Sequence, residues 1–370
     1  MKNSIFILLL FILSCSNKSN KSGPYQSGFR TIHTVDKSRI YKSQTDTTDY
    51  LHFRPIDIDI WYPANASVKE TAILVKDLLG LLEQRANYYT ASSAGNGMAT
   101  QLAQFFCDGF KCSDSTKLLR FKTNSFKNAV DVSGKFPLII YMTAFNGMSY
   151  ENFSLFEALA KEGFIVASVS SIGRFPGDMT MKNADLMEQV YDAIATMKLL
   201  KENENIDYNK IGIIGYSWGG LGGAILSEKI SNVKCLVSLD GSEFHHYGKE
   251  KDENADFETI KNSNDFKNIN LSVPYLRLES SPTGQADKTD SVYNFSYFHA
   301  KNAQIFTIDS AQHEDFDCFS LIVKKSGNCA INQRYNSALK LTVSFLKEHV
   351  KNEDTFSKTI VELKDTVKKK

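Results

Sequence analysis

Lys210-Ile211-Gly212-Ile213-Ile214-Gly215-Tyr216-Ser217-Trp218-Gly219-Gly220-Leu221-Gly222-Gly223-Ala224-Ile225-Leu226 is the stretch on which the reading of the fold turns. Its centre, Gly215 to Gly219, fits G-x-S-x-G. The apolar run before it reads as a buried strand, and the small apolar run after it as the start of a closely packed helix. A serine held between such a strand and such a helix is a nucleophile elbow. The turn forces the serine into a strained backbone conformation and lifts Oγ above the sheet, where a base can reach it. Glycine on either flank leaves room that a Cβ would otherwise fill against strand or helix. Taken alone, the five residues also fit a Gly-rich turn with an exposed serine; the strand before and the small-residue helix after favour the elbow.

On both sides of the elbow, strands and helices alternate. Phe29 to Tyr41 and Ile56 to Tyr62 read as the first strands, and the alternation Ile56-Asp57-Ile58-Asp59-Ile60 predicts a half-exposed edge strand. Residues 67–132 carry helical periodicity (Ile73, Leu74, Leu78, Leu79, Leu81, Leu82; then Met98, Leu102, Phe105, Phe106) and are expected as a helical insertion outside the sheet. Phe136 to Met142 and Phe164 to Val169 are strands, with a helix marked by Phe153, Phe156 and Leu159 between them. Leu186, Val190, Ile194 and Met197 mark a long amphipathic helix before the elbow. Val233 to Leu239, Pro274 to Leu278 and Gln304 to Ile308 are later strands; residues 242–271 are a polar surface excursion. A helix over 334–349 follows, then a basic tail, 354–370, read as docked or frayed rather than as a membrane-surface helix. This alternation predicts an α/β fold, a mostly parallel sheet with helices on both faces.

A serine hydroxyl needs a base within hydrogen-bond reach, and the base needs an orienting acid. When the nucleophile sits on such an elbow, the chain order is Ser, acid, His, each at the C-terminal end of a strand. Of the seven histidines, His33 and His52 precede the serine, His245 and His246 sit in the polar excursion, His299 precedes the last strand and His349 lies on the C-terminal helix. His313 alone lies in the loop after the final strand, so it is the candidate base; otherwise it is a solvated loop histidine. The acid has three candidates. Asp240 ends the strand after the elbow helix, Glu279 ends the following strand, and Asp287 lies beyond it. Gly241 lets the chain turn sharply after Asp240, which favours that residue over a mere cap or solvated turn.

With Ser217, Asp240 and His313 in place, the chain resembles the platelet-activating-factor acetylhydrolase and dienelactone-hydrolase-like branch of the α/β-hydrolases over most of residues 28–350. Phe29-Arg30-Thr31, Arg54-Pro55 and Trp61-Tyr62-Pro63-Ala64 resemble its N-terminal strands. Lys135 to Leu138 resembles its oxyanion strand, Gly163 to Ala167 the next strand, and Gly215 to Gly220 its elbow. Leu239-Asp240-Gly241 is similar to the early acid of the acetylhydrolases, and His313 with Asp315-Phe316 to their histidine loop. The resemblance implies the α/β-hydrolase fold and backbone oxyanion donors at Phe145 and Trp218. It departs where the family has His-Gly after the oxyanion strand; this chain reads Met142-Thr143-Ala144-Phe145-Asn146-Gly147.

The N-terminus has a charged start, an apolar run from Ile5 to Leu13, then Ser14-Cys15. The run is too short for a comfortable membrane span and reads as a signal peptide. Ile12-Leu13-Ser14-Cys15 resembles a bacterial lipobox, which implies cleavage before Cys15, lipidation of its thiol, and residence at the cell envelope, on the periplasmic or outer-membrane face. The expected organisation is therefore signal peptide 1–14, polar tether 15–27, hydrolase domain 28–353 with insertions at about 67–132 and 242–271, and the tail 354–370. An exported chain can keep disulfides, so Cys107–Cys112 and Cys318–Cys329 are expected pairs, with Cys235 a buried free thiol. The cysteine spacings lack a zinc pattern, so no metal is expected. Net charge is +1 with acids and bases interspersed, which gives no basic stripe for nucleic acid, while 42% apolar residues with 25 Phe and 16 Tyr support a large core.

The expectation is a serine ester hydrolase that needs no cofactor and acts on short-chain acyl, acetyl, lipid-like or glycan esters. The alternatives are an amidase or peptidase using the same triad, and a non-catalytic binding lipoprotein that kept the fold.

Overall fold

The computed structural model of the chain describes residues 24–65, 70–89, 97–110, 112, 114–173, 179–244, 251–281, 299–323 and 329–370. The expected signal peptide, Cys15, His245, His246 and Asp287 lie outside the described residues. The first elements are β1 (Gln26–Ile40), β2 (Phe53–Asn65), β3 (Ala72–Leu74), α1 (Val75–Tyr89), α2 (Met98–Gly109), α3 (Ser115–Leu119), β4 (Lys122–Lys127) and β5 (Val130–Asp131). A regular alternation follows: β6 (Phe136–Met142), α4 (Phe153–Lys161), β7 (Ile165–Val169), α5 (Asn183–Leu200), β8 (Ile206–Tyr216), α6 (Trp218–Lys229) and β9 (Val233–Leu239). The rest comprises α7 (Lys251–Lys261), β10 (Asn270–Leu271), β11 (Tyr275–Glu279), β12 (His299–Ala300), β13 (Ala303–Ile308), α8 (Cys318–Val323), α9 (Cys329–Lys351), α10 (Phe356–Glu362) and β14 (Val367–Lys369).

The main sheet runs in the order β14-β13-β11-β9-β8-β6-β7-β2-β1-β4-β3, with β5 paired off β2. From β7 through β6, β8, β9 and β11 to β13, every neighbour is parallel. The centre of the parallel block is covered on both faces, which is why β6, β7 and the end of β8 are near-continuous apolar runs. One face packs Trp61, Ile139, Tyr141, Ile214 and Val237 against α4 and α9 through Phe156, Leu341, Phe345 and Leu346. The other packs Ile140, Met142, Ile213 and Leu236 against α5, α6 and α7 through Leu186, Val190, Leu221, Ile225 and Phe257. This is the α/β-hydrolase fold.

Three expectations are corrected. The Ile56–Ile60 alternation does not mark an edge strand. β2 is flanked by β7 and β1, and Asp57 and Asp59 are buried. They tolerate burial because they are bonded. Arg85 Nη2 reaches both Asp59 oxygens at 2.8 Å, Thr31 Oγ1 donates to Asp59 at 2.6 Å, Ser149 Oγ also donates to it, and His33 Nδ1 lies 2.5 Å from Asp57. Residues 67–132 supply helices, but they also supply sheet. β4 pairs in parallel with β1 and antiparallel with β3, and buried Ser125 Oγ lies 3.0 Å from Ser27 Oγ. Lastly, Cys318 is a free buried thiol. Its Sγ donates to the Glu151 carbonyl at 3.2 Å, against the expected pairing with Cys329, whereas Cys107 and Cys112 are bonded. Cys235 is also free and buried. Residues 354–370 contribute α10, whose Phe356 is buried, and β14, which pairs antiparallel with β13.

Candidate active site

The parallel register brings three strand ends level. Tyr216, the last residue of β8, pairs with Leu239, the last of β9, and Leu239 pairs with Leu278 of β11. On the other flank, Met142 at the end of β6 pairs with Gly215. The residues that follow these strands therefore gather at one rim of the sheet.

Ser217 sits between β8 and α6 at φ 53°, ψ −120°, a conformation that costs energy for a residue with a Cβ. The flanks explain the glycines: a Cβ on Gly215 would meet Gly219 C at 2.6 Å, and one on Gly219 would meet Met142 C at 2.6 Å. Backbone bonds staple the elbow to the loop after β9. Ser217 N–H donates to the Leu239 carbonyl (3.1 Å) and the Ser217 carbonyl accepts from Ser242 N–H (3.0 Å).

His313 opens a 3₁₀ turn, His313–Phe316, after β13. Its Nε2 is 2.9 Å from Ser217 Oγ and its Nδ1 is 2.7 Å from Asp240 Oδ2. The loop is fixed from beneath: Asp315 Oδ2 accepts from Gln312 N–H (2.9 Å) and Arg334 Nε (2.6 Å), and Asn152 Nδ2 donates to the Phe316 carbonyl (2.8 Å). Tyr216 stacks on the imidazole with ring centroids 5.2 Å apart, and its hydroxyl donates to the His313 carbonyl at 3.1 Å. Desolvation pulls the imidazole down, but the hydrogen bond and charge of Asp240, with Asp317 and Glu314 behind, hold it above the ordinary histidine value. The His313 side chain is 45% exposed, so it faces the rim, while Asp240 beneath it is buried.

Asp240, at φ 44°, also accepts from Ser280 N–H at 2.8 Å and Ser280 Oγ at 2.9 Å. These bonds hold the carboxylate and aim it at Nδ1. Glu279, the rival acid, is engaged elsewhere: Arg277 Nε donates to it at 2.7 Å and Lys370 Nζ is bonded to its other oxygen. Arg277 is fully buried and also donates to the Gly241 carbonyl at 2.9 Å, and its Nη1 lies 3.0 Å from Glu243.

The rings of Phe145 and of Trp218, the residue after the serine, meet edge to face at 5.9 Å. Residues 144–147 form a turn closed by Gly147 N–H to the Ala144 carbonyl (2.8 Å), with Asn146 at φ 53°. Asparagine tolerates this left-handed conformation better than most residues with a Cβ. Ser280, Tyr216 and Arg277 are supports that sequence reasoning missed. Tyr216 lies inside the G-x-S-x-G motif and Ser280 next to a strand-end acid, so position alone was the available signal. Among the described residues, no group of three or more His, Cys, Asp or Glu side chains is placed to hold a metal ion.

Two family models match the chain. Residues 56–249 match X-Pro dipeptidyl-peptidase (S15 family), and residues 193–316 match BAAT / Acyl-CoA thioester hydrolase C terminal. No curated protein matches by sequence. Among solved structures the chain is similar to a ferulic acid esterase from Streptomyces cinnamoneus, at a TM-score of 0.60 and 16% identity over 90% of this chain and 92% of that one. That likeness supports the fold.

Proposed function

The chain belongs to the X-Pro dipeptidyl-peptidase (S15) family, whose model spans over half of it, and from that premise we propose that it is a serine ester hydrolase. One observation carries the reading: the unbroken hydrogen-bond chain Ser217 Oγ to His313 Nε2, His313 Nδ1 to Asp240. His313 takes the hydroxyl proton as Oγ attacks the ester carbonyl, and Asp240 stabilises the imidazolium that forms. The oxyanion is met by the N–H groups of Phe145 and Trp218. Collapse expels the alcohol, which takes the proton back from His313. Water, deprotonated by the same imidazole, then releases the acid and frees Oγ.

The substrates in this reading are short-chain acyl, acetyl or lipid-like esters, in keeping with the acetylhydrolase-like acid and histidine positions. The ferulic acid esterase among its structural neighbours is consistent with ester chemistry. The S15 match favours a second reading, cleavage of a peptide or amide bond by the same triad. We place the enzyme at the bacterial cell envelope, held by lipid on Cys15.

The test is a panel of p-nitrophenyl esters of rising chain length beside an X-Pro p-nitroanilide. Ester turnover that is lost by several orders of magnitude in a folded Ser217→Ala variant supports the ester reading. Turnover of the anilide alone supports the peptidase reading, and near-normal turnover in Ser217→Ala refutes both.

A further inference from the structure

Glu151 is a buried carboxyl that the mechanism above does not use. It follows the turn that carries Phe145 and points back into it. Its Oε1 accepts from Ala144 N–H at 2.9 Å and from the Tyr141 hydroxyl at 3.1 Å. Only glycine fits at position 147 above it, because a Cβ there would meet Ala144 N at 2.6 Å and crowd Glu151 Oε2. The main chain of Glu151 ties the other side of the site: its carbonyl accepts from Cys318 Sγ (3.2 Å) just beyond the histidine loop.

The peptide N–H groups of the turn show what this achieves. Ala144 N–H is held by Glu151, Asn146 N–H by Met179 Sδ (3.4 Å) and Gly147 N–H by the Ala144 carbonyl (2.8 Å). Phe145 N–H is the one group of the four with no acceptor among the described residues. The Ala144 carbonyl and the Phe145 N–H belong to one planar peptide unit, so the Gly147 bond to that carbonyl sets the direction of Phe145 N–H, while Glu151 anchors the unit before it. We propose that Glu151 is a positioning residue for the oxyanion turn, holding Ala144 N–H inward so that the next N–H, that of Phe145, points at the reacting carbonyl. This rests on the serine-hydrolase reading.

The groups facing this carboxyl are Tyr141 at the end of β6, Tyr216 at the end of β8, and Asp317 and Cys318 at the start of α8. Burial, with the Asp317 charge adding to it and the Ala144 and Tyr141 bonds opposing, pushes Glu151 up to about 8. Near neutrality it is therefore mostly a neutral acid that accepts hydrogen bonds without setting a full negative charge beside a developing oxyanion. Glutamine has the same shape, the same acceptor and no charge.

The experiment compares wild type, Glu151→Gln and Glu151→Ala by steady-state ester kinetics against pH, each rate normalised to serine sites titrated with a fluorophosphonate. Glu151→Gln is expected to keep kcat within about 3-fold at neutral pH and to lose the alkaline decline of the wild type near 8. Glu151→Ala is expected to lose kcat about 10- to 100-fold with KM little changed, since the donor is misaimed rather than removed. Equal loss in both variants, or no loss in Glu151→Ala, overturns the proposal. A wild type that turns over no ester and takes no label overturns the hydrolase reading and this one with it. If the wild type does both, any difference among the three proteins is assigned to Glu151 alone.

Discussion

Replacing Arg277 by methionine should destabilise the protein more than it alters any contact with substrate. The guanidinium is fully buried and compensates two buried carboxylates, Glu243 at 3.0 Å and Glu279 at 2.7 Å, while also donating to the Gly241 carbonyl. Methionine fills the volume but leaves Glu243 with the Tyr275 hydroxyl (2.6 Å) and Glu279 with Lys370. Removing one partner of a buried ion pair costs about 3–5 kcal/mol, and at roughly 2 °C per kcal/mol for a domain of this size the melting temperature should fall by about 6–10 °C. Burial pushes Glu279 up, but Arg277 and Lys370 outweigh it and hold the carboxyl below the ordinary glutamate range. A depressed carboxyl contributes stability above its unfolded pKa that is lost as pH falls through the folded value. Arg277→Met has already lost the arginine's share, so variant and wild type should converge as the pH drops below about 4. Thermal and urea unfolding at neutral and acid pH measure this, and the double variant Arg277→Met/Glu243→Gln should recover part of the loss. A deficit under about 1 kcal/mol, or one that stays constant on acidification, would show that the buried pair does not hold this loop in place.

Other outcomes follow from the same geometry. Asp240→Asn should reduce kcat by about 10⁴-fold by presenting the wrong partner to Nδ1, and should lower the His313 titration read by NMR, whereas Glu279→Gln should act mainly on stability. The acidic limb of kcat/KM should lie above the ordinary histidine value, because Asp240 favours the protonated imidazole and the base works only when neutral; a limb at or below that value would contradict the His313–Asp240 bond. Cys15→Ser should leave the protein uncleaved or release it from membranes. Continued membrane attachment after normal signal cleavage would exclude lipid on Cys15 as the anchor.

Much of the site was legible because its chemistry is local. The elbow needs glycines at fixed offsets from Ser217, and the base must lie in the loop just after the strand 304–308, where His313 is the one histidine. Asp240 was legible through Gly241, though the residue that holds it, Ser280, comes from the neighbouring strand end and leaves no local mark. Glu151 was hidden for the same reason. In Ser149-Tyr150-Glu151-Asn152 it looks like one more polar loop residue, and its burial is set by β6 and α8 closing over it. The Asp57–Asp59 alternation misled because period two reports which residues share a face, and a polar face is solvent-exposed only when no buried cation meets it. Arg85, which meets this one, lies on a helix within the stretch read as an insertion. β4 escaped notice because it buries Thr123 and Ser125 rather than large apolar side chains.

The antiparallel pairing of β14 on β13 bears on how molecules of this protein meet one another. β13 leads into His313, and a bare β13 would offer its hydrogen-bonding groups to any strand that drifted past. β14 occupies them with only three residues, and Lys368 and Lys369 are exposed. An incoming chain would gain little pairing there and would have to desolvate ammonium groups to do so. The tail thus acts as a gatekeeper against intermolecular strand addition on the side of the sheet that leads to His313.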